Sequence, residues 1–202
     1  MFGAGLPQVA ALAGEAKSYA ERLFDYPDVG ALSNEAAGRA IREPILSEGA
    51  DIDDEALDRI VDVTHGYPYF LQEWGKHSWN TADGSPISIE DVDAASVAAT
   101  NALDKSFFRV RFDRLTPREQ DYLRAMASLG PGPHRSGAIA DALRNRVEKV
   151  GPLRSGLIRK GMVWSPAHGD TAFTVPMFDE FMRRAIPVWS PDAGSNRRRK
   201  PE

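Results

Sequence analysis

Gly66-Tyr67-Pro68-Tyr69-Phe70-Leu71-Gln72 is the stretch on which the fold turns. A helical run ends just before it, at Thr64-His65. Gly66 suits the C′ position of that run, where the backbone turns left-handed and glycine does so without steric cost. Pro68 suits the first turn of a following helix, where its missing N–H costs nothing. Phe70, Leu71, Trp74 and Ser78 then recur at helical spacing, and Trp79 adds bulk beside them. Two helices therefore meet at a tight corner. On spacing alone this is a well-capped corner of a core, because many helical hairpins use Gly and Pro in this way.

On both sides of this corner the same signals recur. Ser33 is a good N-cap for a helix that Pro44 is expected to stop near Arg42. Asp53 and Asp54 favour the next helix start through the helix dipole, and Ala56, Leu57, Ile60, Val61 and Thr64 form its apolar face. The helix opened by Pro68 is expected to reach about residue 82. Asp83-Gly84-Ser85-Pro86 is a turn, and Ser88-Ile89-Glu90-Asp91 is a capping box. The helix after it is expected to run to about Phe112. Residues 33–112 thus read as a bundle of about four helices.

Leu115-Thr116-Pro117-Arg118-Glu119 repeats the start signal, with Thr116 as N-cap, Pro117 at N1 and Glu119 at N3. Tyr122, Leu123, Ala125, Met126 and Leu129 come next on that helix, and Gly130-Pro131-Gly132-Pro133 ends it. Ser136 is expected to cap a short helix containing Ile139, Ala140 and Leu143. A further helix spans roughly residues 147–160. After Gly161 the period becomes strand-like: residues 162–164 and 171–175 flank a hairpin loop around His168. A last helix over 177–184 closes the unit. Three helices, a β-hairpin and a terminal helix are the order of a winged helix–turn–helix domain. The fold class is therefore mainly α: a helical bundle followed by a winged helix–turn–helix with a small β-hairpin.

The chain carries a charge split. Its net charge of −4 sums an acidic stretch over 1–115 (−10) and basic stretches over 116–184 (+4) and 185–202 (+2). Such asymmetry points to two modules with different neighbours. On the predicted third helix of the winged unit, Arg146, Lys149, Arg154, Arg159 and Lys160 stand against Glu148 alone from residue 146 on. In a DNA-binding winged helix that element enters the major groove, and the loop around His168 would be the wing. The alternative is a solvated helix face, or a surface that docks on the acidic bundle. The chain has no Cys, which excludes disulfides and thiolate metal sites, and its four histidines show no paired ligand spacing. No metal site and no catalytic residues are therefore assigned. It has no Gly-x-x-x-x-Gly-Lys-Ser/Thr, no Gly-x-Ser-x-Gly and no His-Glu-x-x-His. No apolar run approaches the length of a membrane span, so no membrane partner is expected, and cytoplasm is the expected compartment.

The first residues, Met1-Phe2-Gly3-Ala4-Gly5-Leu6-Pro7, read like the end of a buried strand and the turn after it. A helix over 8–19 and a short strand over 22–26 are expected to come after them. With these added, the chain resembles the C-terminal part of an AAA+/STAND-type P-loop ATPase, of the bacterial AAA-family ATP-binding kind. The strings that carry the resemblance are Gly3-Ala4-Gly5-Leu6-Pro7, Tyr19-Ala20-Glu21-Arg22-Leu23-Phe24, Thr64 to Gln72, Phe107-Phe108-Arg109-Val110-Arg111-Phe112, Leu157-Ile158-Arg159-Lys160-Gly161 and Phe173-Thr174-Val175-Pro176.

The resemblance implies four parts: the last strands of an ATPase core over 1–32, a helical lid over 33–114, a winged helix over 115–186, and a disordered basic tail over 187–202. It implies that Gly66, Tyr67, Pro68 and Tyr69 lie against the adenine and ribose of ATP or ADP. Pro68 would give a flat apolar face and Gly66 a close backbone approach. Tyr69 stands where many such lids carry an arginine against the phosphates, and this chain has none there. The phosphate-binding and metal-binding strings of the ATPase core are not in this sequence. Nucleotide is then expected to bind this chain alone weakly or not at all, with ATP or ADP held as a cofactor only together with that core, and no hydrolysis is expected from the chain alone. The expected partners are the ATPase core or another protein, and DNA. The expected function is to couple nucleotide state to such a partner. The alternative is a stand-alone winged-helix DNA-binding regulator.

Overall fold

Ser33 caps a helix, α1 (Asn34–Ser47), in the computed structural model, which describes residues 30–191 together with Ala13, Pro27 and residues 23–25. The expectations for residues 3–7 and nearly all of 8–19 lie outside the described residues, as does the tail after Pro191; within 22–26, read as a short strand, Leu23 is helical and neither Phe24 nor Asp25 is in a strand. Contacts divide the chain after Gly30, and the unit that begins at Ala31 holds the helical bundle and the sheet.

The Ser33 hydroxyl accepts the Ala36 N–H at 3.2 Å, and helix α1 runs Asn34–Ser47. Pro44 does not stop it. A late proline forfeits one backbone bond but leaves the next turn able to form. Here the Pro44 carbonyl accepts from the Ser47 hydroxyl at 2.7 Å, while Ile41 and Ile45 are buried on either side of it. Helix α2 (Asp54–Thr64) buries Ala56, Ile60, Val61 and Thr64. Helix α3 (Pro68–Thr81) buries Phe70, Leu71, Trp74 and Ser78, the set its periodicity predicts. Trp79 departs from that set: it is 43% exposed and, with Ile41, Pro44, Ile45, Gly75 and Lys76, lines an open groove of about 220 Å³ between α1 and α3.

Helix α4 (Ile89–Leu103) begins with the predicted capping box, in which Ser88 and Asp91 satisfy each other's backbone N–H groups. It packs along α3, where the Trp74 indole N–H donates to the Ser96 hydroxyl at 2.9 Å. The loops before α2 and α4 are tied by a single parallel bridge, Ile52 to Ile87. The run expected to reach Phe112 does so, but not as one α-helix. A π-helical turn, Asp104–Phe108, separates α4 from a short α5 (Arg109–Phe112). The wider turn shifts the register of the side chains after it. Phe108 is fully buried while Phe107 remains partly open.

Helix α6 (Pro117–Ser128) has the full Thr116/Glu119 capping box. After it come β1 (His134–Arg135), α7 (Ser136–Ala142), α8 (Val147–Arg159), β2 (Val163–Trp164), β3 (Asp170–Phe173) and α9 (Phe178–Ala185). The three strands form an antiparallel sheet in the order β1-β3-β2. The hairpin is as expected, whereas β1 adds a strand that two residues are too short to announce by periodicity. It also moves Ser136. That residue is the first of α7 rather than its cap, and its N–H and hydroxyl both donate to the Gly169 carbonyl, at 2.9 and 3.0 Å.

The protein is thus mainly helical with a small three-stranded antiparallel sheet. Packing is continuous from the π turn into the last helix. The Phe108 ring lies 5.6 Å from that of Phe178 and 5.3 Å from that of Phe181. Arg184 grips both carboxylate oxygens of Asp104 at 2.8 Å. The start of the expected tail is also ordered, because Trp189 gives it an apolar anchor. Its indole N–H reaches Asp121 at 3.3 Å, and the Arg124 guanidinium lies 5.6 Å from the ring.

Candidate functional site

The joint between α2 and α3 is built from two consecutive left-handed residues, His65 (φ 51) and Gly66 (φ 65). The Gly66 N–H reaches back to the Val61 carbonyl at 3.3 Å, and the Tyr67 N–H to that of Thr64 at 3.0 Å. A Cβ on Gly66 would lie 2.5 Å from the Leu32 carbonyl oxygen, and the Leu32 N–H donates to the Gly66 carbonyl at 2.9 Å. The close approach that only glycine permits is therefore taken by the chain itself, and Gly66 does not offer it to a ligand as the resemblance implies. The outward side of the joint belongs to Pro68 and Tyr69, both exposed, and to the half-buried Tyr67.

Four rings and a guanidinium meet there. The Tyr69 ring stacks on Phe107 at 5.1 Å with planes 25° apart. Tyr67 lies 4.7 Å from Phe70 and 6.4 Å from Phe107. The Arg111 guanidinium sits 3.6 Å from the Phe107 ring centre and donates to the Phe107 carbonyl at 3.0 Å. Burial pushes Arg111 below the usual arginine range, neighbouring Arg114 pushes it the same way, and Tyr67 and Tyr69 act against both. Arg111 pairs with no carboxylate among the described residues. In the sequence Arg111 stands out only as a member of the string Phe107 to Phe112. The signal available was the four-residue spacing Phe107…Arg111, which puts a cation over a ring on one helical face.

The basic helix α8 is a different case. Arg154 points into the sheet: its guanidinium donates to the Thr171 hydroxyl (2.7 Å), the Ser165 hydroxyl (2.7 Å) and the Asp170 carbonyl (2.8 Å). Lys160 pairs with the buried Glu119 at 2.7 Å and donates to the Arg114 carbonyl at 3.0 Å. Burial alone would raise the Glu119 pKa, but hydrogen bonds from Lys160 and Thr116 outweigh it and hold the carboxyl below the usual range. Arg146, Lys149 and Arg159 are exposed, and their side chains have no partner among the described residues. His168 is exposed in the loop between β2 and β3, where its carbonyl accepts from Arg135 at 3.2 Å. The six residues expected to face DNA thus divide into Arg146, Lys149, Arg159 and His168, whose side chains are exposed, and Arg154 and Lys160, whose cations the fold ties down although Lys160 is itself exposed.

Among the described residues no group of three or more His, Asp or Glu side chains could hold a metal ion, and no helix is long and apolar enough to cross a membrane. A family model described as "Domain of unknown function (DUF8462)" matches residues 105–182. That match starts in the π turn, and so takes in the phenylalanine contacts that join this turn to α9. No curated protein matches the chain. Among solved structures, it is similar to the Thermotoga maritima RuvB Holliday junction branch migration motor, at 14% identity and a TM-score of 0.36, covering 81% of this chain and 51% of that one. A point mutant of that RuvB matches at 15% identity with the same TM-score and coverage. The chain spans about half the length of the RuvB chains it matches.

Proposed function

We propose that this chain is the lid and winged-helix portion of an AAA+/STAND-like ATP-binding protein, and that it passes the nucleotide state of an ATPase core on to a protein partner or to DNA. In this proposal Tyr67, Pro68 and Tyr69 lie against the nucleotide, and Gly66 holds them in place. The observation that carries it is the α2–α3 joint: a rigid Gly-x-Pro corner that leaves a proline face and a tyrosine ring bare at the start of a helix. A flat apolar face beside an aromatic ring is a suitable wall for a purine. The corner resists collapse, since Gly66 is locked against Leu32. ATP or ADP would thus meet its base-side contacts here. The sequence contains no phosphate-binding Gly-x-x-x-x-Gly-Lys-Ser/Thr, so the chain alone is expected to turn over no ATP. The test is an ADP titration of the ¹⁵N-labelled chain. Backbone signals of Tyr67, Tyr69 and Phe70 are expected to shift with an affinity of roughly millimolar order. An unchanged spectrum up to about 10 mM ADP overturns the nucleotide reading.

A second reading, a winged-helix DNA binder, is favoured by a separate observation. The order α6, β1, α7, α8, β2, β3 is compatible with a winged helix–turn–helix, and the side chains of Arg146 at the N-cap of α8 and of Lys149 and Arg159 on it are exposed and unpaired among the described residues. Helix α8 would be the groove-facing element and His168 would sit in the wing. Fluorescence anisotropy with duplex DNA checks it. Lys149→Ala and Arg159→Ala are each expected to weaken binding at low salt and to reduce the salt slope by about one. If neither moves the affinity, α8 does not face DNA.

A further inference from the structure

We propose that the groove between α1 and α3 is the contact surface of a symmetric dimer, in which a second copy of this chain lays the same groove against it across a two-fold axis. The two helices line the groove with stripes of equal spacing. On α1 the stripe is Ile41, Pro44, Ile45 and Glu48, at i, i+3, i+4 and i+7. On α3 it is Gln72, Gly75, Lys76 and Trp79, at the same intervals. Ile41 and Ile45 form a buried floor, whereas Pro44 and Trp79 stand exposed above it. Gly75 adds no side chain. A Cβ there would lie 3.0 Å from Ile41 Cδ1, so the helices close on each other beneath the groove while it stays open. An exposed tryptophan and proline over an isoleucine floor are apolar surface of the kind that partners bury.

The charged residues of the groove identify the occupant. Glu48 and Lys76 both line it and are both exposed. Neither side chain has a partner among the described residues, so they do not pair with each other within one chain. One acid and one base on the same surface form a self-complementary set. Across a two-fold axis each Glu48 meets the Lys76 of the other copy, and the pairing is made twice. An unrelated partner has to bring a base and an acid at matching positions, whereas a second copy brings both. The two charges also cancel, within a stretch, residues 1–115, whose net charge is −10. The groove is therefore a place where two copies of that acidic region can approach without adding to their repulsion. Each stripe spans two helical turns, roughly 11 Å of axis. The contact is thus at the small end of specific interfaces, with an expected Kd on the order of 10–100 µM.

The test is sedimentation equilibrium of the full chain from about 5 to about 500 µM, in roughly 0.15 M salt. The mass is expected to rise from that of one chain, 22.2 kDa, toward twice that value. Glu48→Lys brings two cations together in both pairs, and Lys76→Glu two anions. Each is expected to weaken self-association by about tenfold or more. An equimolar mixture of the two variants is expected to associate as tightly as the wild type, because both pairs of the mixed dimer again join a cation to an anion. That restoration also shows that both variants are folded. Trp79→Ser, at an exposed position, is expected to weaken association by about tenfold. A chain that stays at one copy up to about 500 µM overturns the dimer and leaves the groove to a helix of another protein. Association that survives both charge reversals, or that the mixture fails to restore, lies on another surface and overturns the proposal equally.

Discussion

The corner at the start of α3, with Arg111 of α5 beside it, and the helix α8 both present cations, but their cations are held differently. Helix α8 and its end carry the larger number, and by charge count alone they are the stronger site. Yet Arg154 is bound to three groups of the β2–β3 hairpin and Lys160 to a buried glutamate. At the α3 corner there are fewer cations, and Arg111 sits against a ring with no carboxylate to answer it. A count of basic residues therefore overstates α8 and passes over Arg111. Along α8 and its two ends the fold supplies partners for Arg154 and Lys160 but none, among the described residues, for the side chains of Arg146, Lys149 and Arg159.

This contrast is tested most severely at the corner. Gly66→Ala combines a left-handed φ with a Cβ placed 2.5 Å from the Leu32 carbonyl, and is expected to cost about 3 kcal/mol in urea unfolding. A loss below about 0.5 kcal/mol would mean the corner is not rigid. Next comes Arg154→Ala, which leaves the buried Thr171 hydroxyl and the Asp170 carbonyl short of a donor. The expected cost is about 2 kcal/mol, seen as a lower Tm, and it marks Arg154 as structural. A folded, fully stable variant that loses only DNA affinity would reverse that assignment.

Glu119 gives a smaller, pH-dependent effect. Its folded pKa is depressed, so its contribution is complete above the ordinary glutamate value of 4.5 and is lost as the pH falls through the lower folded value. Wild-type stability should therefore fall more steeply than that of Glu119→Gln on acidification below that point. Parallel curves would mean that the Lys160 pair contributes nothing. The smallest effect expected is that of Arg159→Ala, within about 0.5 kcal/mol in stability, because its side chain is exposed and holds no partner among the described residues.

Much of the helical frame was legible because its signals are local. The Gly66-Pro68 corner, the capping boxes at Ser88 and Thr116, and the buried face Phe70-Leu71-Trp74-Ser78 each arise from residues within a few positions of one another. What escaped depends on distant partners. Pro44 reads as a stop, but burial of Ile41 and Ile45 carries α1 past it. Strand β1 exists only because Asp170 and Thr171 pair with it. The π turn leaves no mark in the periodicity, yet it sets Phe107 partly open and Phe108 into the core. The site was legible in the same uneven way. Tyr67 to Tyr69 were marked by the corner, but the proximity of Arg111 requires α3 and the π turn to be side by side. Likewise, nothing local distinguishes Arg154 from Arg159, since one meets Thr171 only after the hairpin folds back.

Photolabelling the full chain with 8-azido-ADP, with mapping of the labelled peptide, sets the two regions directly against each other. The expected result is label on the peptide containing Tyr67 and Tyr69, suppressed by excess ADP. Label concentrated on residues 146–160, or spread over the chain and insensitive to ADP, would contradict a nucleotide site at the α2–α3 corner.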